Sequence, residues 1–188
     1  MGLDMYLYKE SYVPHFGTTS DKPSGAYGRH QIAIESPLIE DTGIEPHRIA
    51  YILEEVMYWR KSNHIHKWFV ENVQGGADNC KRVLVSREVL KELIQICEIV
   101  IDASELVDGE VITGYQFAPS GNTPIVVSGT IVKDPTTAKE LLATTDGFFF
   151  GGTDYDENYI RDCKDTAKAL RGILAEPGDG DFYYEASW

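Results

Sequence analysis

Between Ser86 and Asp102 the apolar residues recur with the helical period. At 100° per residue Val89, Leu90, Leu93, Ile94, Ile96, Cys97, Val100 and Ile101 share one arc, and Lys91, Glu92, Gln95, Glu98 and Asp102 share the other. Ser86 stands where a side-chain oxygen caps a helix. A second such arc joins Tyr159, Ile160, Cys163, Ala167, Leu170, Ile173 and Leu174. A chain with two one-sided helices needs an apolar surface to cover them, and a sheet is the expected partner.

The strands to build that sheet are scattered. Residues 1–8 alternate, with Leu3, Met5 and Leu7 on one face and Asp4, Tyr6 and Tyr8 on the other. Loops rich in Pro and Gly are expected at 14–25 and 36–46, flanking a strand at Tyr27–Ile34. Arg48–Arg60 fits a helix or a strand. Ser62 or Asn63 caps a helix that runs to about Gln74, where Gly75 suits a left-handed stop. Val83-Leu-Val is too short to classify. Glu110–Phe117 and Pro124–Val132, separated by Ser120-Gly121-Asn122, read as a β-hairpin. A short helix is expected at Ala138–Ala143, a buried strand at Phe148-Phe-Phe, a tight turn at Gly151-Gly152 and a terminal strand at Phe182–Glu185. These elements do not form a strict βαβ series. The expected architecture is α+β: a mixed or antiparallel sheet, about three main helices on one face, and a hairpin insertion at 106–134 within a single domain of residues 1–188.

Charge narrows the function. The 188 residues carry a net charge of −13, so a sequence-blind grip on a phosphate backbone is disfavoured and direct nucleic-acid binding is not expected. Residues 1–94 hold 11 basic and 13 acidic side chains, against 6 and 17 in residues 95–188. One basic island interrupts this field: Arg60, Lys61, Lys67, Lys81, Arg82, Arg87 and Lys91 outnumber the acids across 58–92. No apolar run approaches the roughly 20 residues that span a bilayer, so no membrane partner and a cytoplasmic location are expected. Cys80, Cys97 and Cys163 form no Cys-x-x-Cys, which argues against a zinc knuckle or a disulfide framework.

Two segments carry chemistry. Tyr58-Trp59-Arg60-Lys61-Ser62-Asn63-His64-Ile65-His66-Lys67-Trp68-Phe69 joins aromatic faces, a guanidinium fork and imidazoles at an element junction, the equipment for a planar anion. Arg60 is the residue packing explains least. Trp59, Trp68 and His66 also read as core, and His64 and His66, about 200° apart on a helix, cannot share a metal; no metal or cofactor is expected. The second is Gly147-Phe-Phe-Phe-Gly-Gly-Thr-Asp-Tyr-Asp-Glu-Asn-Tyr, a glycine turn into a helix start that lacks the spacing of a phosphate loop. Thr153 with Asp156, or Asp154 with Glu157, has capping-box spacing there. The candidate ligand-binding residues are Trp59, Arg60, Asn63, His66, Tyr155 and Asp4; no catalytic residue is assigned.

The words Met-Gly-Leu-Asp-Met-Tyr-Leu-Tyr, Tyr-Trp-Arg-Lys-Ser-Asn-His-Ile-His-Lys-Trp-Phe-Val-Glu-Asn-Val-Gln, Gly-Phe-Phe-Phe-Gly-Gly-Thr-Asp-Tyr-Asp and Asp-Phe-Tyr-Tyr-Glu-Ala-Ser-Trp resemble a family of small phage and prophage proteins. Some members bear a phosphoglycerate kinase label, which a chain this short without a nucleotide motif does not support. The resemblance implies a strand at 48–60 and places the departures at 10–47 and 106–134. It implies a phage accessory protein acting in the host cytoplasm, for which three roles are expected. The first is capture of a small anionic, nucleotide-like ligand such as a host immune signal, with sites shared in a homo-oligomer. The second is acidic inhibition of a host defence protein that binds nucleic acid, and the third is hydrolysis of such a signal.

Overall fold

The computed structural model describes residues 2–12, 49–118, 121–147 and 149–188. The expected strand at Tyr27–Ile34 and the loops around it lie outside these residues. Within them the fold is α+β, with two antiparallel sheets and three substantial helices.

The main sheet has four strands in the order β2-β1-β6-β3: β1 (Asp4–Tyr12), β2 (Tyr51–Arg60), β3 (Val83–Val85) and β6 (Asp181–Ser187). Every pairing is antiparallel. The alternation in β1 sends Leu3, Met5 and Leu7 wholly inside, each adding about 1.5–3 kcal/mol of burial. Phe182, Tyr184 and Ala186 of β6 and Trp59 of β2 share that inner face. Of the two conformations open to the segment ending at Arg60, residues 51–60 take the strand. Val56 is the extra residue where the β1–β2 register shifts, between Leu7 opposite Met57 and Tyr8 opposite Glu55.

Three helices cover the inner face: α1 (Asn63–Asn72), α2 (Arg87–Ala103) and α4 (Glu157–Ala175). Helix α2 is capped as its sequence requires, with Ser86 Oγ accepting from the Val89 amide at 3.2 Å. Its Leu90, Leu93, Cys97 and Val100 pack with Ile160, Cys163, Ala167 and Leu170 of α4 in one core. Cys163 hydrogen-bonds with Cys97, and that contact with burial pushes its thiol pKa up, so it stays protonated. No helix among the described residues is long and apolar enough to cross a membrane.

The second sheet is the hairpin β4 (Leu106–Ala118) and β5 (Gly121–Val132), longer than the sequence suggested. It joins the body where the Val132 amide donates to the Tyr155 carbonyl at 2.8 Å and Asp156 bridges Ile131. The short helix α3 spans Thr136–Leu141.

Of the buried strand expected at Phe148-Phe-Phe, Phe148 lies outside the described residues, and Phe149 and Phe150 are not in a strand. Phe149 has φ 66° and is 53 % exposed, so the chain turns there, and Phe150 drops into the core. The flanking glycines permit this: Gly151 has φ 98°, and a Cβ on it would sit 3.1 Å from the Lys61 carbonyl oxygen.

Candidate functional site

The junction of β2 and α1 forms one end of a cleft of about 380 Å³. Arg60 and Lys61 reach it from the end of β2, and Asn63 and His64 from the first turn of α1. Gly151 and Gly152 form its rim, Tyr159, Arg161 and Asp162 come from α4, and Val111, Ile112 and Thr113 of the hairpin close the far side.

The loop that makes the rim is held by one side chain. Asn63 Nδ2 donates to the Phe150 carbonyl at 3.3 Å and to the Gly152 carbonyl at 2.7 Å, and its Oδ1 accepts from the Thr145 amide at 3.0 Å. Asn63 is therefore a latch between α1 and residues 145–152. Lys61 is the hinge beside it, with φ 61° and its amide donating to the Leu3 carbonyl at 2.8 Å.

Six charged side chains line the cleft, and their partners decide its character. Asp154 accepts from the Ile112 amide at 2.8 Å, tying the hairpin down instead of joining a capping box. Asp156 caps α4 by accepting from the Tyr159 amide at 2.9 Å, and it also takes an Asn158 bond at 3.0 Å. Asp162 accepts from Ser62 Oγ at 2.7 Å; burial raises its carboxyl pKa, with the Ser62 bond and then Arg161 pulling the other way. Each carboxylate thus has a local structural bond. No carboxylate among the described residues lies within ion-pair distance of Arg60, Lys61 or Arg161.

The backbone adds to this imbalance. Ser62 is the N-cap of α1, but its hydroxyl is spent on Asp162, so no side-chain bond caps the helix, and its first turn contains no acid. The orphan amides of a helix N-terminus favour negative charge. At the cleft floor lies His64, only 4 % exposed, whose pKa burial holds down to about 3. It is neutral at physiological pH.

Of the residues singled out from sequence, the cleft brings together Arg60 and Asn63. Strand alternation sends Trp59 the other way, where its indole donates to Thr166 Oγ1 at 2.8 Å and meets Phe69 edge-on in the core. His66 is 1 % exposed and bonded on both nitrogens, to Tyr184 at 2.8 Å and Asp78 at 3.0 Å. A carboxylate only accepts, so Nε2 of His66 carries a proton and donates to Asp78. Trp188 donates to the other Asp78 oxygen at 3.0 Å, which fastens the end of β6 to the same network. Tyr155 stands behind the cleft, its hydroxyl accepting from the Thr144 amide at 3.2 Å and its ring edge-on to Tyr159. Asp4 lies on the open sheet face, where it accepts from Tyr58.

Sequence reasoning missed Lys61, His64, Arg161 and Asp162. The signal for His64 was its place at a helix N-terminus beside Arg60; for Arg161 and Asp162, a hundred residues away, no local signal exists.

Two other hollows compare poorly as anion sites. One, of about 530 Å³ beside His66 and Trp188, is lined by Glu71, Asp78 and Asp146 against the single cation Lys67. The other, about 610 Å³, lies between α2 and α4 and has Lys164 and Lys168 besides the Arg171 that pairs with Glu98, but it abuts the last turn of α2, where the helix dipole disfavours an anion.

The fold and the cleft define an α+β protein with a small polar site between sheet edge, helix N-terminus and hairpin. No protein-family model, curated protein or solved structure matches the chain.

Proposed function

We propose that this protein binds a small anionic, nucleotide-like ligand in the cleft between β2, α1, α4 and the hairpin, and holds it without turning it over. The observation that carries the reading is how differently the cleft's three cations and three carboxylates are held. Asp154, Asp156 and Asp162 are occupied by local hydrogen bonds, whereas Arg60, Lys61 and Arg161 have no carboxylate within ion-pair distance among the described residues. A phosphate would supply that partner, and guanidinium groups match its geometry. The uncapped start of α1 adds a favourable dipole.

Capture is preferred to hydrolysis because the cleft's hydroxyls are engaged structurally. Thr113 donates to the Ile125 carbonyl at 3.3 Å, Thr144 to the Thr153 carbonyl at 3.1 Å, and Tyr159 to the Leu142 carbonyl at 2.8 Å with its pKa raised by burial. The resemblance to small phage proteins supports reading the ligand as a host nucleotide signal and the role as its sequestration. Calorimetry with cyclic nucleotides and ADP-ribose-type nucleotides tests this. Binding by the wild type, weakened at least tenfold in an Arg60→Ala, Arg161→Ala variant, supports the reading, and no heat above background overturns it. Ligand recovered unaltered from the complex supports capture, and recovered product supports hydrolysis.

A further inference from the structure

One polar atom at the cleft floor has a need that nothing among the described residues meets. His64 Nε2 is closed to solvent and has no hydrogen-bond partner among the described residues. Its ring lies 4.3 Å from the Tyr159 ring, tilted by 44°, so an aromatic face supports it and offers no conventional acceptor or donor. Burying an imidazole nitrogen without a partner costs about what a lost hydrogen bond costs, and native structures rarely retain such an atom without reason. The cleft around it also contains Arg60, Lys61 and Arg161, which have no carboxylate within ion-pair distance among the described residues, and the aliphatic Val111 and Ile112.

We infer that His64 determines which anion the cleft accepts: an anion joined to a neutral hydrogen-bonding group, as in a sugar phosphate or nucleoside phosphate, rather than a bare anion. The inference rests on the anion-binding reading above. The phosphate meets Arg60, Lys61 and Arg161, and, because His64 Nε2 is closed to solvent in the free chain, the imidazole turns toward the cleft to meet a hydroxyl or ring nitrogen of the same molecule. Burial supports this division, because it keeps the imidazole uncharged and therefore a poor partner for phosphate itself but a good one for a neutral group. Such a site rejects analogues that lack the matching group, since they leave the buried nitrogen unpaired.

The test titrates the full chain with adenosine 5′-monophosphate, ribose 5-phosphate and inorganic phosphate, for the wild type and His64→Phe. The wild type is expected to bind at least one ester tenfold or more tighter than inorganic phosphate. His64→Phe is expected to keep the phosphate affinity and lose that preference. Ribose 5-phosphate matching the nucleotide assigns the contact to the sugar; a nucleotide-only preference assigns it to the base. Should the variant fail to fold, ¹⁵N spectra of the wild-type imidazoles give the answer, with the His64 Nε2 resonance moving on addition of the preferred ester and not of phosphate. Equal affinity for all three probes, a preference that survives His64→Phe, or an unmoved Nε2 resonance overturns the inference alone. Failure of all three probes to bind overturns the anion reading and this inference with it.

Discussion

The Asn63 side-chain amide donates to the Gly152 carbonyl at 2.7 Å, joining two positions 89 residues apart. Through that bond the first residue of α1 fixes the glycine rim of the cleft, so the shape of the site depends on one buried side chain.

Asn63→Ala removes three hydrogen bonds and leaves two carbonyls and one amide without their partner, a loss of about 2–4 kcal/mol. Urea denaturation should show that loss. Amide exchange at Thr145 should accelerate more than at Leu93 in the α2 core.

His66 separates stability from binding. His66→Phe retains the ring against Phe150 and Tyr184 but deletes both polar contacts and strands the buried Tyr184 hydroxyl. The expected cost is about 2–4 kcal/mol in denaturant. Nucleotide affinity should change less than twofold, because His66 lies outside the cleft; a large loss of affinity with stability intact would return His66 to the site.

Stability should fall with acid through His64. Its pKa is about 3 in the folded protein against 6.5 ordinarily, so the unfolded chain binds the extra proton and folding is favoured as pH rises between those values. Below about pH 6.5 this group alone should remove up to about 1.4 kcal/mol per pH unit. The difference in unfolding free energy between His64→Phe and wild type should therefore shift in favour of the variant as pH falls from 7 to 4. Parallel pH profiles would contradict the buried neutral imidazole.

Gly151→Ala tests the rim. The new Cβ would stand 3.0 Å from Lys61 Cβ and 3.1 Å from its carbonyl oxygen, at a backbone φ of 98°. A cost of about 1–3 kcal/mol is expected, with a lower Tm. Displacement of Lys61 should weaken nucleotide binding as well, whereas Gly172→Ala, with open space around its site in α4, should leave binding unchanged.

Local periodicity made most of the fold legible. Leu3, Met5 and Leu7 alternate, Ser86 precedes its helix, and the arc from Tyr159 to Leu174 faces the core, because each pattern is set by neighbours in the chain. The strand expected at Phe148-Phe-Phe misled because an apolar run carries no sign of direction; positive φ at Phe149 and Gly151 turns the chain there instead. For the site, Arg60 stood out because packing did not explain it. Trp59 was misplaced although its strand contained the correction, since adjacent strand residues point to opposite faces. Arg161 and Asp162 reach the cleft only through the packing of α4, a relationship between distant segments that no local spacing encodes.

The most direct measurement is a ¹H–¹⁵N shift map of the full chain titrated with adenosine 5′-monophosphate, including the arginine Nε–H signals. The account predicts saturable shifts at Arg60, Lys61, Asn63, His64, Gly151, Gly152 and Arg161, with His66, Asp78 and Trp188 still. Saturable shifts centred on His66 and Trp188, or none at Arg60 and Arg161 at millimolar nucleotide, would contradict it.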